Sequence, residues 1–173
     1  SWAGWQVPVL TDDNHGRARI QKIDAAGILR DLKAGTVAVL AGFQGIGPDR
    51  RVTTFGRGGS DTTAVALASA LNADRCDIFT DVEGVFTSDP RIVTTARKLD
   101  RITYEEMLEL ASQGAKVLQT RSVALAMQHR VRLQVLSSFL DTPGTLVVGE
   151  EEIMEHEMVS GLAYSRDEAK ITL

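Results

Sequence analysis

The stretch GRGGSDTTAVALASALNADRCDIFTDV, Gly56 to Val82, sets a glycine-rich turn, a run of small helix-forming residues and a branched apolar segment in direct succession. The order predicts turn, helix and strand. Ser60 or Asp61 is a candidate N-cap, because a short polar side chain there can accept from the first free amides of a helix. Thr63 to Leu71 is mostly Ala, Val and Leu, small enough to pack closely on a sheet. CDIFTDV, Cys76 to Val82, reads as a parallel strand, and the acidic loop EGVFTSDPR leaves its C-terminal end, where open α/β sheets usually carry function.

The pattern continues on both sides. Upstream, GTVAVLAGFQG from Gly35 is a continuous branched apolar run, expected to be a strand buried on both faces. GIGPDRR, Gly45 to Arg51, has the punctuation of a turn, and RVTTF is a short extended piece leading to the glycines. Downstream, ITYEEMLELASQG offers Thr103 as N-cap with Glu106 three positions later, a capping box, and Tyr104, Met107, Leu108 and Ala111 form one apolar stripe. A further helix is expected from about Lys116 to Gln128, then strands in VRLQVLSSF and GTLVV. Alternating strands and helices predict an α/β fold, a mostly parallel sheet sandwiched by helices. After Gly149 the acidic EEEIMEHE reads as a linker over residues 150–157, and MVSGLAYSRDEAKITL starts a new strand pattern over 158–173.

Composition narrows the function classes. The 173 residues are 43% apolar and 24% charged, ordinary for a globular protein, and no window has the run of apolar residues that a membrane helix requires. A formal charge of -4, with basic residues scattered among acids, argues against a nucleic-acid partner. Cys76 is the single cysteine, so no internal disulfide forms, and with no apolar leader a cytoplasmic protein is expected. His15, His129 and His156 lie far apart without a second ligand at metal spacing, so no metal site is expected. The chain opens on SWAGWQVPVL without an initiator Met, which suggests that a segment once preceded Ser1.

GRGGSD fails two common phosphate-binding patterns. The P-loop needs a Lys followed by Ser or Thr after its last glycine, whereas Gly59 is followed by Ser60 and Asp61. In the dinucleotide pattern Asp61 stands at the third glycine, where a carboxylate repels pyrophosphate. A zwitterion suits the residues better. Arg57 can take a carboxylate in two parallel hydrogen bonds, Asp61 can hold an ammonium group, and the glycines let backbone N–H groups come close. The competing reading is structural: Gly58 and Gly59 shape a turn, Asp61 caps the helix and Arg57 pairs with Asp61. In TDVEGVFTSDPR, Asp81 can accept from ribose or base, Phe86 can lie against a purine and Arg91 can neutralise phosphate, although each also suits an ordinary loop. Lys116 has the charge and reach for a phosphate, while most helical lysines face water.

Taken together, GRGGSDTTAVALASAL, TDVEGVFTSDPR, YEEMLELASQGAKVL and SSF with GTLV resemble the aspartokinases of the amino acid kinase superfamily. The resemblance runs from TDDNHGRARI to about Val148, and the last sixteen residues resemble the start of that family's α+β regulatory ACT domain. It implies transfer of the γ-phosphoryl of MgATP to the side-chain carboxylate of aspartate, the first step toward lysine, threonine and methionine. Carried over by motif, Arg57 and Asp61 hold the amino acid, with Gly58, Gly59 and Ser60 beside them. Thr80, Asp81, Phe86, Arg91 and Lys116 line the ATP pocket. Homo-oligomers through the ACT domains and feedback control are implied as well.

Some positions depart from the family. Aspartokinases carry an early KFGG-type motif whose lysine stabilises the transferred phosphoryl, together with an early Glu and Thr that help hold aspartate; this chain contains no such segment. The resemblance therefore implies that residues 1–149 are the later part of a kinase domain, inactive alone. Phe86 stands where many relatives have Tyr, and Gln119-Thr120 replaces His-Pro, leaving Thr120 to cap the following helix. The alternatives are a non-catalytic partial subunit that binds nucleotide or an amino acid, and a related kinase acting on another carboxylic amino acid.

Overall fold

The computed structural model describes residues 1–115, 117–153 and 161–162. In chain order these form β1 (Val9–Thr11), β2 (Ile20–Ile23), α1 (Ala26–Lys33), β3 (Gln44–Ile46), β4 (Val52–Thr54), α2 (Gly59–Leu71), β5 (Cys76–Thr80), β6 (Arg101–Thr103), α3 (Tyr104–Ser112), α4 (Thr120–His129), β7 (Leu133–Ser137) and β8 (Thr145–Val148). One four-stranded sheet has the order β2-β1-β3-β4 and the other β5-β7-β8-β6. The α/β architecture is present, and both sheets are mixed: β5 and β7 are parallel, as are β6 and β8, while β7 and β8 run antiparallel.

The main core lies between the second sheet and helices α2, α3 and α4. Val65 and Ala68 of α2, Met107 and Leu110 of α3, and Val123 and Ala126 of α4 meet Ile78, Leu133, Val135 and Val147 of the strands. A small cluster of Val9, Ala18 and Phe55, with Ile20 and Ile23 against it, fills the first sheet. Helix α2 touches β2, β5 and α4, so the segment that follows the glycines is held by both sheets. Its Ala, Thr and Val side chains explain how it fits between them, since small residues let backbones approach.

Local structure follows local chemistry where caps and turns decide it. Thr103 caps α3 by accepting from the Glu106 amide, and Glu106 reaches back to the Thr103 amide, the capping box expected. Tyr104, Met107 and Leu110 are buried, with Leu108 and Ala111 packed partly against the core. The residues GIGPDRR form the connection of a β3–β4 hairpin, closed by Gly47 N–H donating to the Arg51 carbonyl at 2.9 Å.

Three expectations are corrected. The run Gly35 to Gly45 is not a doubly buried strand: its apolar part contributes one isolated bridge, Leu40 to Trp2, Val37 is 83% and Val39 62% exposed, and only its end, Gln44 and Gly45, enters β3. Its apolar pattern marks a demand for cover that the described residues do not meet. Neither Ser60 nor Asp61 is the N-cap of α2, because the left-handed Gly58 takes that place and the helix starts at Gly59. Nor does Thr120 cap α4; it is the first helical residue, behind Gln119 in extended backbone. Of the acidic 150–157 stretch, Glu150–Glu152 form one 3-10 turn. The expected second domain at 158–173 lies outside the described residues except for Gly161 and Leu162.

Candidate functional site

The glycine turn owes its shape to two positions. Gly58 sits at φ +70°, where an L side chain is strained, and a Cβ there would fall 2.2 Å from Cγ of Gln119. Gly59 lies so close to two aromatic rings that its Cβ would come within 2.7 Å of Phe43 Cδ2 and 2.9 Å of Phe55 Cβ. No side chain caps the N-terminus of α2, which leaves amide donors and a positive partial charge facing outward. Thr62 and Thr63 donate their hydroxyls to the Gly58 and Gly59 carbonyls, tying the first turn of the helix to itself.

Arg57 is exposed, and Asp61, in the first turn of α2, is half-buried. Among the described residues no ion pair joins them, so the purely structural reading, in which Arg57 pairs with Asp61 and Asp61 caps the helix, does not hold. Burial pushes the Asp61 carboxyl above its ordinary value, and a hydrogen bond from Ser60 works against that shift. A half-buried carboxylate without a cationic partner, four residues after an exposed guanidinium, suits a ligand that brings an ammonium group and a carboxylate of its own.

The second constellation stands at the C-terminal end of β5. Thr80 closes the strand opposite Ser137 of β7, and its hydroxyl donates to Asp81 Oδ1 at 3.2 Å. Phe86 makes an isolated bridge with Lys98, which holds the loop back on itself. Arg91 is exposed and grips Asp89 through Nε and Nη2 at 3.0 and 2.8 Å, with Asp81 close enough to favour its charge further. A phosphate taking Arg91 therefore competes with Asp89. Among the described residues no hydrogen bond or ion pair joins Arg57 or Asp61 to Thr80, Asp81, Phe86 or Arg91, and Lys116 lies outside the described residues.

Two supporting residues have no signal in the sequence. Thr145, fully buried in β8, accepts from the Val85 amide at 2.8 Å and donates to the Leu99 carbonyl at 2.6 Å, so a single hydroxyl fastens both ends of the loop that carries Phe86 and Arg91. Arg121, second residue of α4, donates to the backbone carbonyls of Phe55 and Ala18. A lone Thr in an apolar strand and an Arg on a helix are common in any protein; only the folded chain shows what they hold. Cys76 is buried in the core, and burial pushes its thiol up to about 11, which makes it unreactive. Among the described residues no group of His, Cys, Asp or Glu could hold a metal ion, and no helix is long and apolar enough to cross a membrane.

The model of the amino acid kinase family matches residues 3–137. An aspartate kinase of Stutzerimonas stutzeri and an aspartokinase of Pseudomonas aeruginosa are each 58% identical over the whole chain. The chain spans 42% of the length of these relatives. Among solved structures, Escherichia coli aspartokinase III in complex with aspartate and ADP is 40% identical, with a TM-score of 0.77 over 86% of this chain and 34% of that one. A UMP kinase of Bacillus anthracis at 17% identity and a TM-score of 0.56 shares the fold alone. With the strand and helix order, the glycine turn and a family match over most of its length in agreement, the chain belongs to the amino acid kinase family.

Proposed function

We propose that this chain is part of an aspartokinase, which transfers the γ-phosphoryl of MgATP to the side-chain carboxylate of aspartate. The observation that carries the reading is the pair Arg57 and Asp61, opposite in charge, four residues apart across an uncapped helix N-terminus, and not bonded to each other. The identity to curated aspartokinases and the likeness to an aspartokinase that holds aspartate and ADP support it.

In this reading Arg57 takes the α-carboxylate as a bidentate pair, Asp61 takes the α-ammonium, and Ser60 with the backbone of Gly58 and Gly59 completes the cradle. Holding both charges fixes the free side-chain carboxylate of aspartate in one direction. Thr80, Asp81 and Phe86 receive the nucleoside, and Arg91 and Lys116 face its phosphates. Transfer between two anions asks for alignment and for positive charge on the transferring oxygens, more than for covalent chemistry by the protein. Residues 1–149 act as the later part of the kinase domain, residues 150–157 as the connector and 158–173 as the start of an ACT-like regulatory domain. A cytoplasmic homo-oligomer assembled through such domains completes the picture.

The test is an assay of the full-length polypeptide that carries this chain, with MgATP and aspartate and the acyl phosphate trapped by hydroxylamine. Arg57→Ala and Asp61→Asn are expected to raise KM for aspartate at least tenfold with KM for ATP little changed. Turnover of glutamate or another carboxylic amino acid in place of aspartate overturns the substrate assignment, and unchanged aspartate kinetics in the double variant overturn the site.

A further inference from the structure

Helix α4 touches the glycine turn at two points. Gln119, its N-cap, lies over Gly58, and Arg121, two residues on, donates Nη1 to the Phe55 carbonyl at 2.9 Å and Nη2 to the carbonyl of Ala18. Phe55 stands two residues before Arg57, and Ala18 belongs to the β1–β2 connection. That connection is laced to β4: the Ala18 amide donates to the Thr54 carbonyl at 2.9 Å, and the Thr54 amide donates to the His15 carbonyl at 2.7 Å. One planar guanidinium thus joins three segments distant in sequence, with the turn held in front at Phe55 and behind at Gly58.

The charges around Arg121 make this an unusual use of arginine. Its partners are two backbone carbonyls, and it forms no ion pair among the described residues. Burial, then the neighbouring Arg19, lowers its proton affinity, with Asp12 opposing and Arg17 adding a weaker effect in the same direction as Arg19. A cation kept half-buried among other cations needs both carbonyl bonds to offset its lost hydration. Lysine has one point of charge and no fork, so it cannot hold both carbonyls in one plane.

We propose that Arg121 is a positioning residue for the amino-acid substrate: it fixes the backbone from Phe55 to Gly59 and so sets the direction of the Arg57 guanidinium, without touching the substrate itself. The proposal rests on the reading of Arg57 as the carboxylate anchor, whereas its backbone part stands without it. Two measurements separate the two. In Arg121→Lys and Arg121→Ala versions of the full-length polypeptide, hydrogen exchange at the Gly58 and Gly59 amides is expected to speed at least tenfold while that of α3 stays unchanged. KM for aspartate is expected to rise at least tenfold, with KM for ATP within twofold and the lysine variant milder than the alanine variant.

Unchanged exchange at the turn overturns the proposal, as does an equal rise of both KM values, which marks a general loss of fold. If the alanine variant does not fold, the lysine variant decides by the same criteria. If the unmodified protein turns over no aspartate, the proposed function fails, and the exchange data still decide whether Arg121 holds the turn.

Discussion

Arg132 clasps Glu152, with Nε to Oε1 at 3.2 Å and Nη2 to Oε2 at 2.8 Å, and Arg101 donates to the Glu152 backbone carbonyl at 3.1 Å. Arg132 precedes β7 and Arg101 opens β6, so one glutamate ties the chain after β8 to two other strands of the same sheet. A partly exposed pair of this kind is worth at most about 1 kcal/mol to global stability. Glu152→Gln is therefore expected to shift the melting temperature little, while amide exchange over Glu150 to Ile153 speeds several-fold. Equal protection in the variant would show that the turn holds without the clasp.

Tyr104 gives a pH-dependent prediction. Its hydroxyl donates to the Val131 carbonyl at 2.8 Å across the join between α3 and the start of β7, and its side chain is buried. Burial, then the charges of Glu152 and Glu151, push the phenol up to about 12 from 10. The fold therefore keeps its proton more tightly than the unfolded chain does. Sign follows directly: stability from this group is intact below pH 10 and falls as pH rises from 10 toward about 12. Tyr104→Phe is expected to cost about 1–2 kcal/mol at pH 7, by leaving a buried carbonyl without its donor. The variant should also lose part of the alkaline decline, read by urea unfolding at successive pH values, and an identical decline would assign it to other groups.

The glycine turn can be tested by a double-mutant cycle. Gly58→Ala carries two penalties: a left-handed backbone, about 1–2 kcal/mol for an L residue, and overlap with the Gln119 side chain. Gln119→Ala removes the Cγ and Cδ of that overlap and leaves Cβ at 2.6 Å, so it relieves part of the second penalty and none of the first. The pair should recover part of the lost stability, with a coupling of about 0.5 kcal/mol or more. Strict additivity would place Gln119 elsewhere in solution. Aspartate binding is expected to stay weak in both Gly58 variants, because the turn that carries Arg57 has moved.

How much of this was legible in the sequence depends on the range of the interaction. The capping box at Thr103 and Glu106, the strand at Cys76 and the helix after the glycines are set by neighbours within four residues or by composition, and their signals are local. Gly58 reads as part of a turn, yet its role as N-cap uses a left-handed backbone, and Gln119, sixty-one positions away, leaves no room for a Cβ there. The Gly35 to Gly45 run was misread because an apolar pattern reports the need for cover and not which segment supplies it. Arg57 and Asp61 were legible as a charge pair, but that they do not bond each other required coordinates. Arg121 and Thr145 act through backbone carbonyls and amides distant in sequence, a kind of partner that leaves no trace in residue types.

Asp61 supplies the sharpest separation of stability from function. Its folded carboxyl is raised above the ordinary value mainly by burial, so the ionised form is disfavoured in the fold relative to the unfolded chain. The contribution to stability is then best below the unfolded value of 3.8 and declines as pH rises through the raised folded value, after which it stays at its lower level. At neutral pH the charge costs stability, beyond whatever the helix N-terminus returns to it. Asp61→Asn keeps the shape and removes the charge, so its urea midpoint at pH 7 is expected to be no lower than that of the unmodified protein. The same variant should bind aspartate at least tenfold more weakly, since an amide has no net charge to offer an ammonium group. Added aspartate should raise the melting temperature of the unmodified protein and raise that of the variant less at the same concentration, because a ligand stabilises only the state that binds it. A variant that is less stable yet binds aspartate normally would make Asp61 a structural residue of α2 and would leave the ammonium without its partner.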